Sequence, residues 1–202
     1  MEGREKPLLV FIYGAAFGAA LATIVAVLLF ATRPDRTRVR LQRQLIEAER
    51  PRTLAPIPLV DSGGRKVVLD PQGPALYYFH LEGCSACARA EKALGRWLDR
   101  KPDVALVVIA LPRDGEIGQE LKEAMRKGPW RNHPRVEIYF DPNRETPGSW
   151  GVKAFPPFLA VRDRRVLGQI EGFPEGDLSL ASLLDRLVET LDTGDGKGGE
   201  KG

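Results

Sequence analysis

Cys84 and Cys87 are the two cysteines of a 202-residue chain, and both lie in the stretch HLEGCSACARAEKAL. A spacing of three puts them about one turn apart on one face of a helix. Thiols so placed can hold part of a metal site, close a disulfide with each other, or lie inert in a core. A closed zinc site takes four ligands. The chain has no second CxxC, so the rest would come from His80, His133 or another subunit. A staple between distant segments would need a distant partner. A redox pair fits the residue types best. The apolar run ALYYFHL precedes Cys84 and a helical pattern follows it, so Cys84 stands at a strand-to-helix junction. A thiol there meets unpaired backbone N–H groups and the positive end of the helix dipole, which favour the nucleophilic thiolate. Cys84 would attack a substrate disulfide to form a mixed disulfide, and Cys87 would resolve it.

Other residues bear on the same chemistry. Pro156, in WGVKAFPPFLAV, stands directly before an expected strand, where a residue that donates no ladder hydrogen bond is tolerated. A cis Phe155–Pro156 bond would expose backbone beside the cysteines for an extended substrate; a simple turn proline is the plain alternative. His80, four residues before Cys84, is placed to stabilise its thiolate, although strand-end histidines are more often merely part-exposed. Glu82 and Glu91 are candidates for moving the second proton, against the commoner reading as surface carboxylates. Trp97, Trp130 and Trp150 read as packing residues, and His133 as a loop residue.

The elements that must position these groups alternate. RKVVL (65–69) reads as a strand after the DSGG turn, ALYYFHL (75–81) as a buried strand, and 85–100 as a helix. VALVVIAL (104–111) reads as a strand covered on both faces. Residues 116–127 read as an amphipathic helix with Ile117, Leu121 and Met125 inward. RVEIYF (135–140) is a strand, a hairpin turns around Asp163–Arg165, and 178–191 is the closing helix. The order predicts an α/β fold, a mixed central sheet with helices on both faces.

Residues 7–32 carry no charge and exceed the ~20 residues that span a bilayer. They read as an uncleaved transmembrane anchor after a short segment 1–6. Gly14 and Gly18 have GxxxG spacing, a helix-pairing pattern as well as ordinary small-residue usage. Residues 33–54 are a basic linker. Val39, Leu41, Leu45 and Ile46 are an apolar stripe for a short helix there, read as a solvated spacer ahead of a lipid-surface helix. A globular domain is expected over 55–191 and a disordered tail over 192–202. The formal net charge of +3 is too small, and its basic residues too local, to suggest nucleic acid. Two cysteines exclude a disulfide-dense secreted scaffold.

The CxxC stretch GCSACARAE together with WGVKAFPPFLAVRDRRVLGQIEGF resembles the thioredoxin superfamily. APIPLVDSGGRKVVLDPQGPALYYF is similar to the amino-terminal hairpin of membrane-anchored thiol-disulfide oxidoreductases of the TlpA/ResA type. The resemblance covers roughly residues 55–191. It implies a thioredoxin-like fold, Cys84 as attacking and Cys87 as resolving cysteine, and Pro156 as a cis-proline. It also implies a single-pass membrane protein whose domain faces the extracytoplasmic (periplasmic) side. There it would reduce protein disulfide clients, as in cytochrome c maturation, with electrons from a thiol-reducing membrane protein and no organic cofactor. The count of positive charges after residue 32 points the other way, to a cytoplasmic domain. This sequence departs from the family at Gly83 (usually Trp), Tyr78 (Asp in thioredoxin), Ala90 (Glu, here displaced to Glu91), Pro157 (usually Thr) and the Ser85–Ala86 pair. These departures leave potential and client open. A disulfide-forming oxidase of the same fold, a redox-inactive scaffold or assembly factor, and a metal carrier using Cys84, Cys87 and His80 are the alternatives.

Overall fold

The computed structural model describes residues 52–173 and 179–193, and the backbone of Leu45–Ile46. The expected anchor, most of the linker and nearly all of the tail lie outside the described residues. Among the described residues no helix is long and apolar enough to cross a membrane.

Among the described residues eight strands form one sheet: β1 (Leu45–Ile46), β2 (Ile57–Asp61), β3 (Lys66–Leu69), β4 (Ala75–Leu81), β5 (Leu106–Leu111), β6 (Val136–Phe140), β7 (Pro157–Arg162) and β8 (Arg165–Glu171), in the order β1-β8-β7-β4-β5-β6-β2-β3. The β4–β5 and β5–β6 pairs are parallel and the others antiparallel. β4 and β5 are central, and every residue of β5 is buried, as a strand covered on both faces requires. Among the described residues there are four helices: α1 (Ser85–Leu98), α2 (Gln119–Lys127), α3 (Glu145–Ser149) and α4 (Leu180–Thr193).

Alternation along the strands divides the core in two. Leu76, Tyr78, Val108, Ala110, Phe158 and Ala160 face a cluster with Leu94 and Trp97 of α1, Leu121 and Met125 of α2, and Leu184 and Leu187 of α4. Tyr77, Phe79, Val107, Ile109 and Leu159 face the other way, towards Leu54, Ile57, Leu59 and Trp150. The helices are thus unevenly shared. The three longer ones cover one face, while the second is closed by Trp150, at the end of the five-residue α3, and by the segment leading into β2. Gly95 lets α1 approach closely, since a Cβ there would lie 2.6 Å from Pro129 Cβ.

The β7–β8 hairpin turns on two residues, Asp163 (φ +49) and Arg164 (φ +63). This left-handed pair is the twist-compatible two-residue turn. Its N–H groups donate to Gln72 (2.7 Å) and Pro71 (2.7 Å) carbonyls. β2 accepts Pro58 because its pairing with β6 is confined to Val60 and Asp61. Leu45 and Ile46 differ from expectation. They pair as a strand with Ile170 and Gln169 instead of lying on a helix. The outer edge of β8 would otherwise expose unpaired backbone N–H and C=O groups, and the Leu45–Ile46 backbone pairs with it. Two residues ahead of the 55–191 range also contact the sheet: Arg52 accepts Val166 N–H through its carbonyl, and Leu54 is 2% exposed.

α1 and α4 are joined where Trp97 Nε1 donates to Asp185 Oδ1 (3.0 Å) and Lys101 Nζ lies 3.1 Å from the same oxygen. The indole hydrogen bond, with Lys101 behind it, holds the Asp185 carboxyl below the usual range. A depressed folded value contributes stability above the ordinary carboxylate range, and that contribution is lost as pH falls through the depressed value. Asp185→Asn is therefore expected to lower the urea midpoint at pH 7, with the gap from wild type closing below about pH 4. Urea titrations at both pH values test this.

Candidate active site

The end of β4 delivers Cys84. Glu82 N–H donates to Leu111 O (3.1 Å), and Cys84 N–H donates back to Leu81 O (3.1 Å). The chain turns at Gly83, whose φ of +77° suits a residue without a Cβ. Cys84 is the N-cap of α1 in an extended conformation, and its Sγ accepts the Cys87 N–H at 3.1 Å. A sulfur therefore occupies the place where a Ser or Asp oxygen usually caps a helix. Negative charge on that sulfur is favoured by the cap N–H and by the helix dipole. Cys84 and Cys87 form a disulfide with Cα atoms 5.2 Å apart. Cys84 is half-buried, whereas Cys87 is 0% exposed. An incoming thiolate or disulfide can thus reach Cys84, while Cys87 meets only what is already bound to Cys84.

A polar cluster lies inside the same helix–sheet layer. Tyr78 and His80 point to one face of β4, two residues apart. Both meet Glu91, one turn beyond Cys87 on the inward side of α1. Tyr78 OH donates to Glu91 Oε1 (2.9 Å), and His80 Nδ1 lies 2.5 Å from the same oxygen. Glu91 is not the surface carboxylate of the commoner reading, because only 18% of its side chain is exposed. Burial, with the Glu91 charge beside it, pushes the Tyr78 hydroxyl far above an ordinary phenol. It serves as a donor. Its ring stacks on Phe158 with centroids 4.9 Å apart. His80 is turned to Glu91, so it supports the cluster and not the Cys84 sulfur directly. Glu82 is the surface residue of the pair, accepting Arg113 N–H at 2.8 Å.

Pro156 heads β7, and the Phe155–Pro156 peptide is cis. Tyr78 pairs with Phe158 in the antiparallel β4–β7 register. Continuing that register brings Pro156 level with His80, at the strand end from which the chain leads to Cys84. The preceding loop is held by its backbone. Val152 N–H donates to Pro147 O (2.8 Å), Lys153 N–H to Glu171 Oε1 (2.8 Å), and Arg52 to Gly151 O (3.0 Å). Arg52 also bonds Gln169, which bonds Glu171. The segment before β2 thereby braces the proline loop, a role no motif in the sequence signals. Trp97, Trp130 and Trp150 are buried packing residues, and His133 Nε2 lies 3.2 Å from Lys101 O in a loop. No group of three or more His, Cys, Asp and Glu that could hold a metal ion occurs among the described residues.

A disulfide at the N-cap of the helix that follows a central strand, with a cis-proline heading the antiparallel neighbour of that strand, defines a thioredoxin-like fold. Solved structures agree on the fold. A protein of Chlorobium tepidum assigned as the thiol:disulfide interchange protein DsbE superposes with a TM-score of 0.52 at 21% identity, over 71% of this chain and 98% of that one. A protein of Neisseria meningitidis assigned as a thioredoxin gives 0.53 at 16% identity, over 74% and 96%. No family model matches the sequence, and no curated protein does.

Proposed function

We propose that the chain is a membrane-anchored thiol-disulfide oxidoreductase that reduces disulfides of client proteins on the extracytoplasmic side, cytochrome c precursors among them. The observation that carries the reading is the reachable Cys84 sulfur at a helix N-cap with Cys87 buried one turn behind it. In the reducing direction the Cys84 thiolate attacks one client sulfur and the other leaves as a thiolate. Cys87, after losing its proton, attacks Cys84 and releases the second client sulfur. The client gains two electrons and, once its thiolates are protonated, two protons; the Cys84–Cys87 pair is oxidised. A dithiol on a membrane partner would return it to the reduced form.

The direction of exchange is set by the pair's potential. We expect the full chain, equilibrated in dithiothreitol or glutathione buffers and read by thiol trapping, to titrate near thioredoxin's value of about −270 mV. A value near −120 mV would make it a disulfide-forming oxidant. A pair that failed to cycle would remove the enzyme reading in favour of a scaffold.

A further inference from the structure

Position 83 carries no side chain and is exposed, directly before the half-buried Cys84. The space is bordered by Arg113, whose Nη1 lies 4.0 Å from where a Gly83 Cβ would stand. Arg113 is an exposed loop residue between β5 and α2, yet its backbone is clamped at both ends. Its N–H donates to Glu82 Oε2 (2.8 Å), and its carbonyl accepts Arg144 Nη1 (3.4 Å). The first clamp ties it to the residue next to Gly83, and the second brings another guanidinium to the same loop. The Arg113 guanidinium has no hydrogen-bond or ion-pair partner among the described residues. Acids stand in the same loops, among them Glu82, whose carboxylate is engaged by the Arg113 backbone, and Asp114, next in the chain. The group that reaches the open side of Gly83 is the cation.

We propose that Arg113 makes the approach to Cys84 cationic and thereby selects client disulfides flanked by an acidic residue. An acidic side chain beside the client cysteine would pair with the unpartnered guanidinium as the client sulfur meets Cys84. A basic one would be repelled. The proposal rests on Cys84 being the attacking thiol.

Alkylation separates this effect from any change in thiolate content. In the full chain carrying Cys87→Ser, Cys84 is the only thiol, and anionic iodoacetate and neutral iodoacetamide attack the same sulfur. Their rate ratio therefore reports the potential that an incoming anion meets. Removal of one nearby charge in a water-like medium predicts a ratio about two- to threefold lower with Arg113→Gln. Arg113→Glu should lower it further, and the differences should vanish near 1 M salt. Far-UV dichroism confirms that the variants are folded. An unchanged ratio overturns the proposal. With both cysteines intact, turnover of an Asp-flanked disulfide peptide should exceed that of a Lys-flanked one at low salt, and Arg113→Gln should erase the preference. Equal turnover in both proteins overturns the selection. If no peptide is turned over while the alkylation ratio falls as expected, the oxidoreductase reading fails and the cationic approach stands.

Discussion

Cys84→Ser is expected to reduce disulfide exchange to background, and Cys87→Ser is expected to turn the protein into a covalent trap for its client. The asymmetry follows from burial and position. Cys84 is half-buried at the helix cap and its sulfur accepts a backbone N–H; Cys87 is 0% exposed in the core layer. A client disulfide can reach only Cys84, so a serine there leaves no accessible nucleophile. With Cys87→Ser the first step still runs: a Cys84–client disulfide forms and the other client sulfur leaves. The second step lacks its thiolate, and the adduct persists until an outside thiol arrives. Incubation with a disulfide peptide, followed by acid quench and intact mass measurement, should give a stable adduct for Cys87→Ser and none for Cys84→Ser. An adduct on Cys87 in the Cys84→Ser protein would reverse the assigned roles. Unimpaired cellular function with serine at both positions would show that the fold is kept for binding.

How much of this was legible in the sequence depended on how local each signal was. ALYYFHL announced β4 residue for residue, because the five apolar or aromatic residues that open it need burial on both sides. The hairpin at Asp163–Arg165 and the CxxC at a strand–helix junction were equally local. Four features were not. ETPGS is too short to show a helical period and contains Pro and Gly, so α3 left no trace. Leu45–Ile46 is too short to declare a strand and pairs only because β8 offers an edge. Glu91 lay in a readable pattern, since Cys87, Glu91, Leu94 and Leu98 fall on one stripe of α1. Its burial nevertheless depends on Tyr78 and His80 meeting that stripe from another element. The sequence offers no pattern for Arg113 beside Gly83, because the contact joins two loops.

Glu91→Gln should slow the release of client from the mixed disulfide by about a hundredfold at neutral pH, the lower range of positioned proton transfer. Resolution requires Cys87 to lose its proton in a core layer where it is 0% exposed, so that hydroxide reaches it only through rare local openings. Glu91 is one helical turn away, about 5–6 Å between Cβ atoms. Its carboxylate oxygen is 2.5 Å from His80 Nδ1. The His80 side chain is 14% exposed, so the line from Cys87 through Glu91 to His80 leads towards solvent. The glutamine keeps the shape and can still accept from Tyr78, but it cannot take a proton. Resolution in the variant should then rise steadily with pH, as hydroxide replaces the carboxylate, while wild type holds a plateau. The alkylation rate of Cys84 should not change, because the first step does not use Glu91. Glu91→Ala has a second consequence: it strands the buried Tyr78 hydroxyl, at a cost of about 1–3 kcal/mol in stability. Tyr78→Phe in the same background should recover part of that loss without restoring the rate. A merely structural Glu91 would give parallel pH profiles for Glu91→Gln and wild type in stopped-flow measurements of resolution, and that result would remove the proton path.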